Sequence, residues 1–212
     1  MSPPISLEVS WFWDWVPAGE DAPAWIAYVS RMLDDWAGSK VAAARAGQNF
    51  PFATDEIGEA VAEALLQRAA ALPANCRLIW GAGFVNDDVR WLPLLILAEF
   101  RRARPGDSSY LMTEVGAEGF AEDVRDPRVD YVTTDRGDGV RVVALAESEG
   151  EGLHARVDAA LRLETPGRGD VDVLLSTRVK GMDKAGAIGA GVEVAMHMIA
   201  SQAEQLPFGD PT

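Results

Sequence analysis

The stretch Leu153-His154-Ala155-Arg156-Val157-Asp158-Ala159-Ala160-Leu161-Arg162-Leu163 sets Leu153, Ala155, Val157, Ala159, Leu161 and Leu163 against His154, Arg156, Asp158 and Arg162. Successive side chains of a strand point to opposite sides, so a period of two marks a β-strand with one core face. The same pattern returns after Pro166-Gly167-Arg168-Gly169, where Val171, Val173, Leu175, Thr177 and Val179 alternate with Asp172, Leu174, Ser176 and Arg178. Upstream, Val129 to Thr134 and Val140 to Glu147 flank Asp135-Arg136-Gly137-Asp138-Gly139, whose glycines permit the positive φ of a tight hairpin. These links are too short for crossover helices, and the meander is therefore antiparallel.

Toward the N-terminus, the apolar runs Arg77 to Val85 and Trp91 to Arg101 are joined by Asn86-Asp87-Asp88 and predict another hairpin. Pro93 lacks a ladder donor, which predicts an edge, a bulge or a strand start there. Ser109 to Val115 reads as a further strand, followed by an irregular acidic link through Glu118, Glu122, Asp123 and Asp126. The chain begins with another alternation, Ile5, Leu7, Val9, Trp11, Trp13 and Trp15 against Ser6, Glu8, Ser10, Phe12 and Asp14, which predicts a strand lined with tryptophan.

Helical spacing appears three times. Asp21 and Pro23 start a stripe of Trp25, Ile26, Val29, Met32, Leu33 and Trp36. Thr54, trailed by Asp55 and Glu56, starts a second that Pro73 stops. Between them, Phe50 and Phe52 flank Pro51 and either plug a core or form a gate. The third runs from Asp183, its N-cap, to about Glu204, with Ile188, Val192, Ala195, Met196 and Ile199 in line. Gly186, Gly189 and Gly191 weaken that helix unless close packing on the sheet requires small residues.

The expectation is a single α+β domain over residues 1–206 with a frayed tail at 207–212. Its core is one curved antiparallel sheet of about six to eight strands. Two helices from the N-terminal half and a long C-terminal helix cover one face of that sheet. This element order resembles two fold groups. One is the helix-grip fold of START-related lipid and hormone binders, in which a sheet wraps a terminal helix around an apolar cavity. The other is the PsbP-like group, in which an antiparallel sheet lies between helices and often serves as a noncatalytic assembly factor. Both likenesses concern layout, and layout alone does not give function.

Composition narrows the partners. At 212 residues, 48% hydrophobic and 25% charged, the chain has the make-up of an ordinary globular protein. A net charge of -14 repels phosphate backbones and anionic headgroups, which argues against nucleic acid or a membrane surface and for a basic protein partner. Its one cysteine, Cys76, forms no internal disulfide. No Lys or Arg precedes Arg31, so the N-terminus lacks the basic region of a secretory signal. Trp91 to Ala98, the longest apolar run, falls well short of the roughly 20 residues that span a bilayer. The expected location is cytoplasmic.

Catalytic signatures are missing from the sequence. Gly181-Met182-Asp183-Lys184-Ala185-Gly186 has P-loop glycine spacing, but Ala187-Ile188 stand where Lys and Ser or Thr belong. Gly186, Gly189 and Gly191 run in the wrong order for a dinucleotide fingerprint. Gly106-Asp107-Ser108 reads as a turn. The two histidines, His154 and His197, have no ligand at metal spacing, and His154 is expected to be an exposed strand residue beside Arg156. Adjacent Asp34-Asp35 and Asp87-Asp88 cap or solvate. Asp126, Asp130, Asp135 and Asp138 lack the alternation of a calcium loop. The sequence calls for no metal and no cofactor.

Tryptophan is the remaining signal. Five of the seven, Trp11, Trp13, Trp15, Trp25 and Trp36, fall in the first strand and helix. Large flat side chains either fill a core or line a concave apolar site. A pocket would set Trp11, Trp13, Trp80 and Trp91 on the sheet side, facing Val192 and Met196 on the terminal helix. Two functions follow: a noncatalytic interaction or accessory module with an acidic surface, or a carrier or enzyme for an apolar small molecule in that Trp-lined cavity. The want of a paired nucleophile and base favours the module.

Overall fold

The computed structural model describes residues 9–17, 22–45, 54–150, 152–165 and 169–204. Phe50, Phe52 and the tail at 207–212 lie outside them. Seven strands, β1 (Val9–Trp15), β2 (Cys76–Val85), β3 (Asp88–Arg102), β4 (Arg128–Thr134), β5 (Gly137–Ser148), β6 (Gly152–Leu163) and β7 (Val171–Val179), hydrogen-bond in the order β1-β2-β3-β7-β6-β5-β4. The pairings of β7 with β3 and β6, and of β5 with β6 and β4, are all antiparallel. Five helices complete the described elements: α1 (Ala22–Arg45), α2 (Thr54–Ala70), α3 (Ser109–Glu114), α4 (Met182–Ala185) and α5 (Ile188–Ser201). The protein is an α+β fold built on an antiparallel sheet. Two compact units divide it, one of Met1–Pro73 and Trp80–Leu94 and the other of Ala74–Ile79 and Leu95–Thr212.

In the first unit the hairpin link forms as expected, with Asn86 and Asp87 both at positive φ (51° and 65°), the geometry that lets a two-residue turn follow the strand twist. Pro93 lies inside β3 and not at a strand start. Period two sorts the aromatic side chains by face. Phe12 and Trp80 meet edge to face at 5.4 Å, and Trp36 of α1 packs on Phe12 at 5.2 Å and on Phe84 at 5.1 Å. Helices α1 and α2 approach closely at Gly58, where a Cβ would lie 2.4 Å from the Ser30 carbonyl oxygen. Asp34 accepts a hydrogen bond from the Gly58 N–H there at 3.1 Å, a structural use of that acid.

In the second unit α5 packs on β4, β5 and β6. Its buried stripe of Ile188, Val192, Ala195, Met196 and Ile199 is the one the spacing predicts. The continuous helix from Asp183 is instead broken into α4 and α5, and Asp183 lies within α4. The glycines divide accordingly. A Cβ on Gly189 would meet Val143 Cγ2 at 3.0 Å, so close packing on the sheet explains it, whereas Gly186 faces open space and caps α4.

The opposite face of this part of the sheet is covered as well, contrary to the expectation of helices on one face. Ser109 to Val115 is the reason. Asp107 accepts from both the N–H (2.9 Å) and the hydroxyl (2.7 Å) of Ser109, starting the helix α3 where a strand was expected. Leu111 and Val115, four residues apart and so on one side of the turn, bury against Val140, Val142 and Ala160.

Candidate functional site

Of the six residues singled out by the sequence, the four tryptophans lie in the first unit and Val192 and Met196 in the second. Trp11 stacks on Trp13 (centroids 6.1 Å apart, planes 6° apart) and on Trp91 (5.5 Å, 20°). These indoles lie over Gly81 and Gly83, where added Cβ atoms would fall 2.3 Å from Trp13 Cε3 and 2.5 Å from Trp91 Cε3. Glycine strand positions leave room for flat aromatic rings to lie on the backbone. Trp13 and Trp91 are 8% and 6% exposed, as filling residues are. Trp80 is not among them. It alternates with Gly81 and therefore belongs to the other face, with Phe12, Trp25 and Trp36. Val192 and Met196 belong to the second unit and are fully buried, and a Cβ on Gly139 would meet Met196 Cε at 2.6 Å.

The polar side chains of β6 hold a different arrangement. Arg156 has no exposed surface. Its Nε and Nη2 donate to the two carboxylate oxygens of Asp123 at 3.0 and 2.6 Å, and its Nη1 donates to Asp158 at 2.6 Å and to the Val115 carbonyl at 3.0 Å. The Phe120 ring covers the guanidinium at 4.4 Å. Asp158 also accepts from Arg178 at 2.9 Å, completing a chain of alternating charges across the sheet. Nearby, Arg162 donates to both oxygens of the fully buried Asp172, at 2.8 and 2.9 Å, and the Tyr110 hydroxyl donates to the same carboxylate. His154 is buried and not exposed, with Nδ1 at 2.9 Å from the Gly152 carbonyl oxygen.

Burial and neighbouring donors shift the titration of Asp123, Glu99, Asp130 and Tyr110. Burial pushes the Asp123 carboxyl up, but the hydrogen bonds from Arg156 and from the Phe120 N–H, with the guanidinium charge, outweigh it and hold the group below its ordinary value. The hydrogen bond from Arg101 holds Glu99 low, and that from Arg141 does the same for Asp130. Burial, then the hydrogen bond to Asp172 and its charge, push the Tyr110 phenol up, so at neutral pH it is a donor and not a base.

The chain matches no protein-family model and no curated protein. Chemistry must be read from the cavities of the second unit. One, of about 260 Å³, lies over Leu97, Leu174 and Ser176, and its charged walls are already paired: Arg101 with Glu99 and Glu114, each at 2.7 Å, and Arg178 with Asp158. Another, of about 410 Å³, has a floor of Leu111, Val140 and Ala160, all buried. Asp138, Glu164 and Asp170 stand exposed around it, with Tyr131 79% exposed beside them. Among the described residues none of these three carboxylates has an ion-pair partner.

Neither arrangement is legible along the chain, because the alternation of β6, taken alone, places its polar face toward solvent. A signal was present, since Arg162 stands opposite Asp172 in the register and Asp158 is diagonal to Arg178. Opposite charges placed across neighbouring strands mark a face that pairs with itself. No helix among the described residues is long and apolar enough to cross a membrane.

Proposed function

We propose that the protein is a noncatalytic interaction or accessory module that presents an acidic surface to a basic partner protein, in the cytoplasm and without a cofactor. The observation that carries this reading is the contrast between two sets of acids. Asp123, Asp158 and Asp172 are spent on internal arginines, whereas Asp138, Glu164 and Asp170 surround an open cavity with their charge uncompensated among the described residues. The net charge of -14 supports it, because a field of one sign steers an oppositely charged partner and disfavours nucleic acid. The PsbP-like likeness in element order fits such an accessory role.

The stacked indoles of Trp11, Trp13 and Trp91 favour a second reading, a carrier or enzyme for an apolar small molecule, to which the helix-grip-like layout belongs. One experiment separates the two. Native mass spectrometry of the purified protein is paired with pull-downs from the host at low and high salt, and the captured proteins are identified. A bare chain that captures basic proteins and releases them at high salt is the expected result. A retained small-molecule mass, with no salt-sensitive capture, overturns the module in favour of the carrier.

A further inference from the structure

We infer that the cavity of about 410 Å³ beside Tyr131 is the seat of a lysine side chain from the partner protein, a deepening that rests on the acidic-surface reading. The walls match that side chain from stem to tip. Leu111, Val140 and Ala160 offer an apolar bed, which suits a four-carbon stem that lies on hydrocarbon while its charge stays in water. Asp138, Glu164 and Asp170 supply the opposite charge at the rim, and the exposed Tyr131 ring supplies a face to which an ammonium is attracted. Arg162, the one cation in the wall among the described residues, is compensated by two hydrogen bonds to Asp172 and one to the Asp107 carbonyl, which lowers its repulsion of an incoming charge. An anionic or purely apolar occupant would leave the rim carboxylates facing it without compensation. A cation of the right length satisfies floor and rim together.

The test uses the full chain and a fluorescent five-lysine peptide at low salt, read by anisotropy. The triple change Asp138→Asn, Glu164→Gln, Asp170→Asn is compared with a control of equal charge loss, Glu118→Gln, Glu122→Gln, Asp126→Asn, all at exposed positions. The cavity triple is expected to weaken binding by about tenfold more than the control. Tyr131→Ser weakens it by about two- to fivefold, and Tyr131→Phe, which keeps the ring face, restores it. Equal losses in the two triples overturn the cavity and leave the acidic surface standing. No binding of the peptide by the unaltered chain overturns both. All altered positions are exposed, and unchanged thermal unfolding of each variant shows that the readout is binding.

Discussion

Arg156 and Asp123 form a two-point pair inside the protein, Nε to Oδ1 at 3.0 Å and Nη2 to Oδ2 at 2.6 Å, with side chains 0% and 3% exposed. The pair joins a strand to the irregular link after α3, and the same guanidinium holds the Val115 carbonyl. Removing one partner strands a buried charge. Arg156→Ala is expected to cost about 3–5 kcal/mol in urea unfolding, with hydrogen exchange rising first in residues 115–124. An unchanged unfolding midpoint would show that the link is held by its apolar contacts alone.

The pH dependence follows from the direction of the shifts. Asp123, Glu99 and Asp130 titrate lower in the folded protein than unfolded, so their stabilisation is complete above the unfolded value of about 4 and is lost as pH falls through the folded ones. Tyr110 is shifted up, so its contribution is complete below the unfolded value of about 10 and disappears as pH rises past it. Unfolding midpoints measured from pH 2.5 to 11 should form a plateau with an acid fall below about pH 4 and an alkaline fall above about pH 10.

Two glycines should respond with opposite signs. A methyl group on Gly83 would fall 2.5 Å from Trp91 and 2.8 Å from Trp11, and Gly83→Ala is expected to cost about 1–3 kcal/mol and to alter the near-ultraviolet circular dichroism of the stacked indoles. Gly186 has helical backbone angles (φ -75°, ψ -23°) and open space around it. Gly186→Ala should stabilise by about 0.4–1 kcal/mol by restricting the unfolded chain. Chemical unfolding of both variants decides the pair.

Asp14 gives a third kind of response. Burial, the largest influence, pushes its carboxyl up against the opposing hydrogen bond from the Trp15 N–H. A carboxyl raised by folding makes the ionised form unfavourable, so its cost is present at neutral pH and vanishes below the unfolded value of about 4. Asp14→Asn is therefore expected to stabilise the protein at pH 7 and to converge with the unaltered chain in acid. The comparison of thermal midpoints at pH 7 and pH 3.5 tests it.

What could be read in the sequence was whatever local periodicity controls. The alternation at Val171 to Val179 and the Asn86-Asp87 turn set strand and hairpin directly, because each is decided by neighbours along the chain. Ser109 to Val115 departs from its local pattern because its helix depends on the Asp107 side chain and on burial of Leu111 and Val115 against distant strands. The same limit hid the charged face of β6. Arg156 and Asp158 look like solvent residues until Asp123, thirty-three positions from Arg156, is brought onto them. The carboxylates near Tyr131 come from separate segments of the chain, and only folding makes them neighbours.

One further residue ties the end of the sheet to its helix. Arg141, on β5, donates at 2.9 Å to Asp130 of β4 and at 2.8 Å to the Gly189 carbonyl of α5, and also pairs with Glu193. β4 closes the strand order, and a terminal strand is where a sheet frays and recruits foreign chains. Here peeling the strand away would also strip the Asp130 carboxylate from the guanidinium that holds one end of the helix, so fraying of this margin carries an added electrostatic cost. A latch of this kind turns a vulnerable margin into part of the cooperative whole.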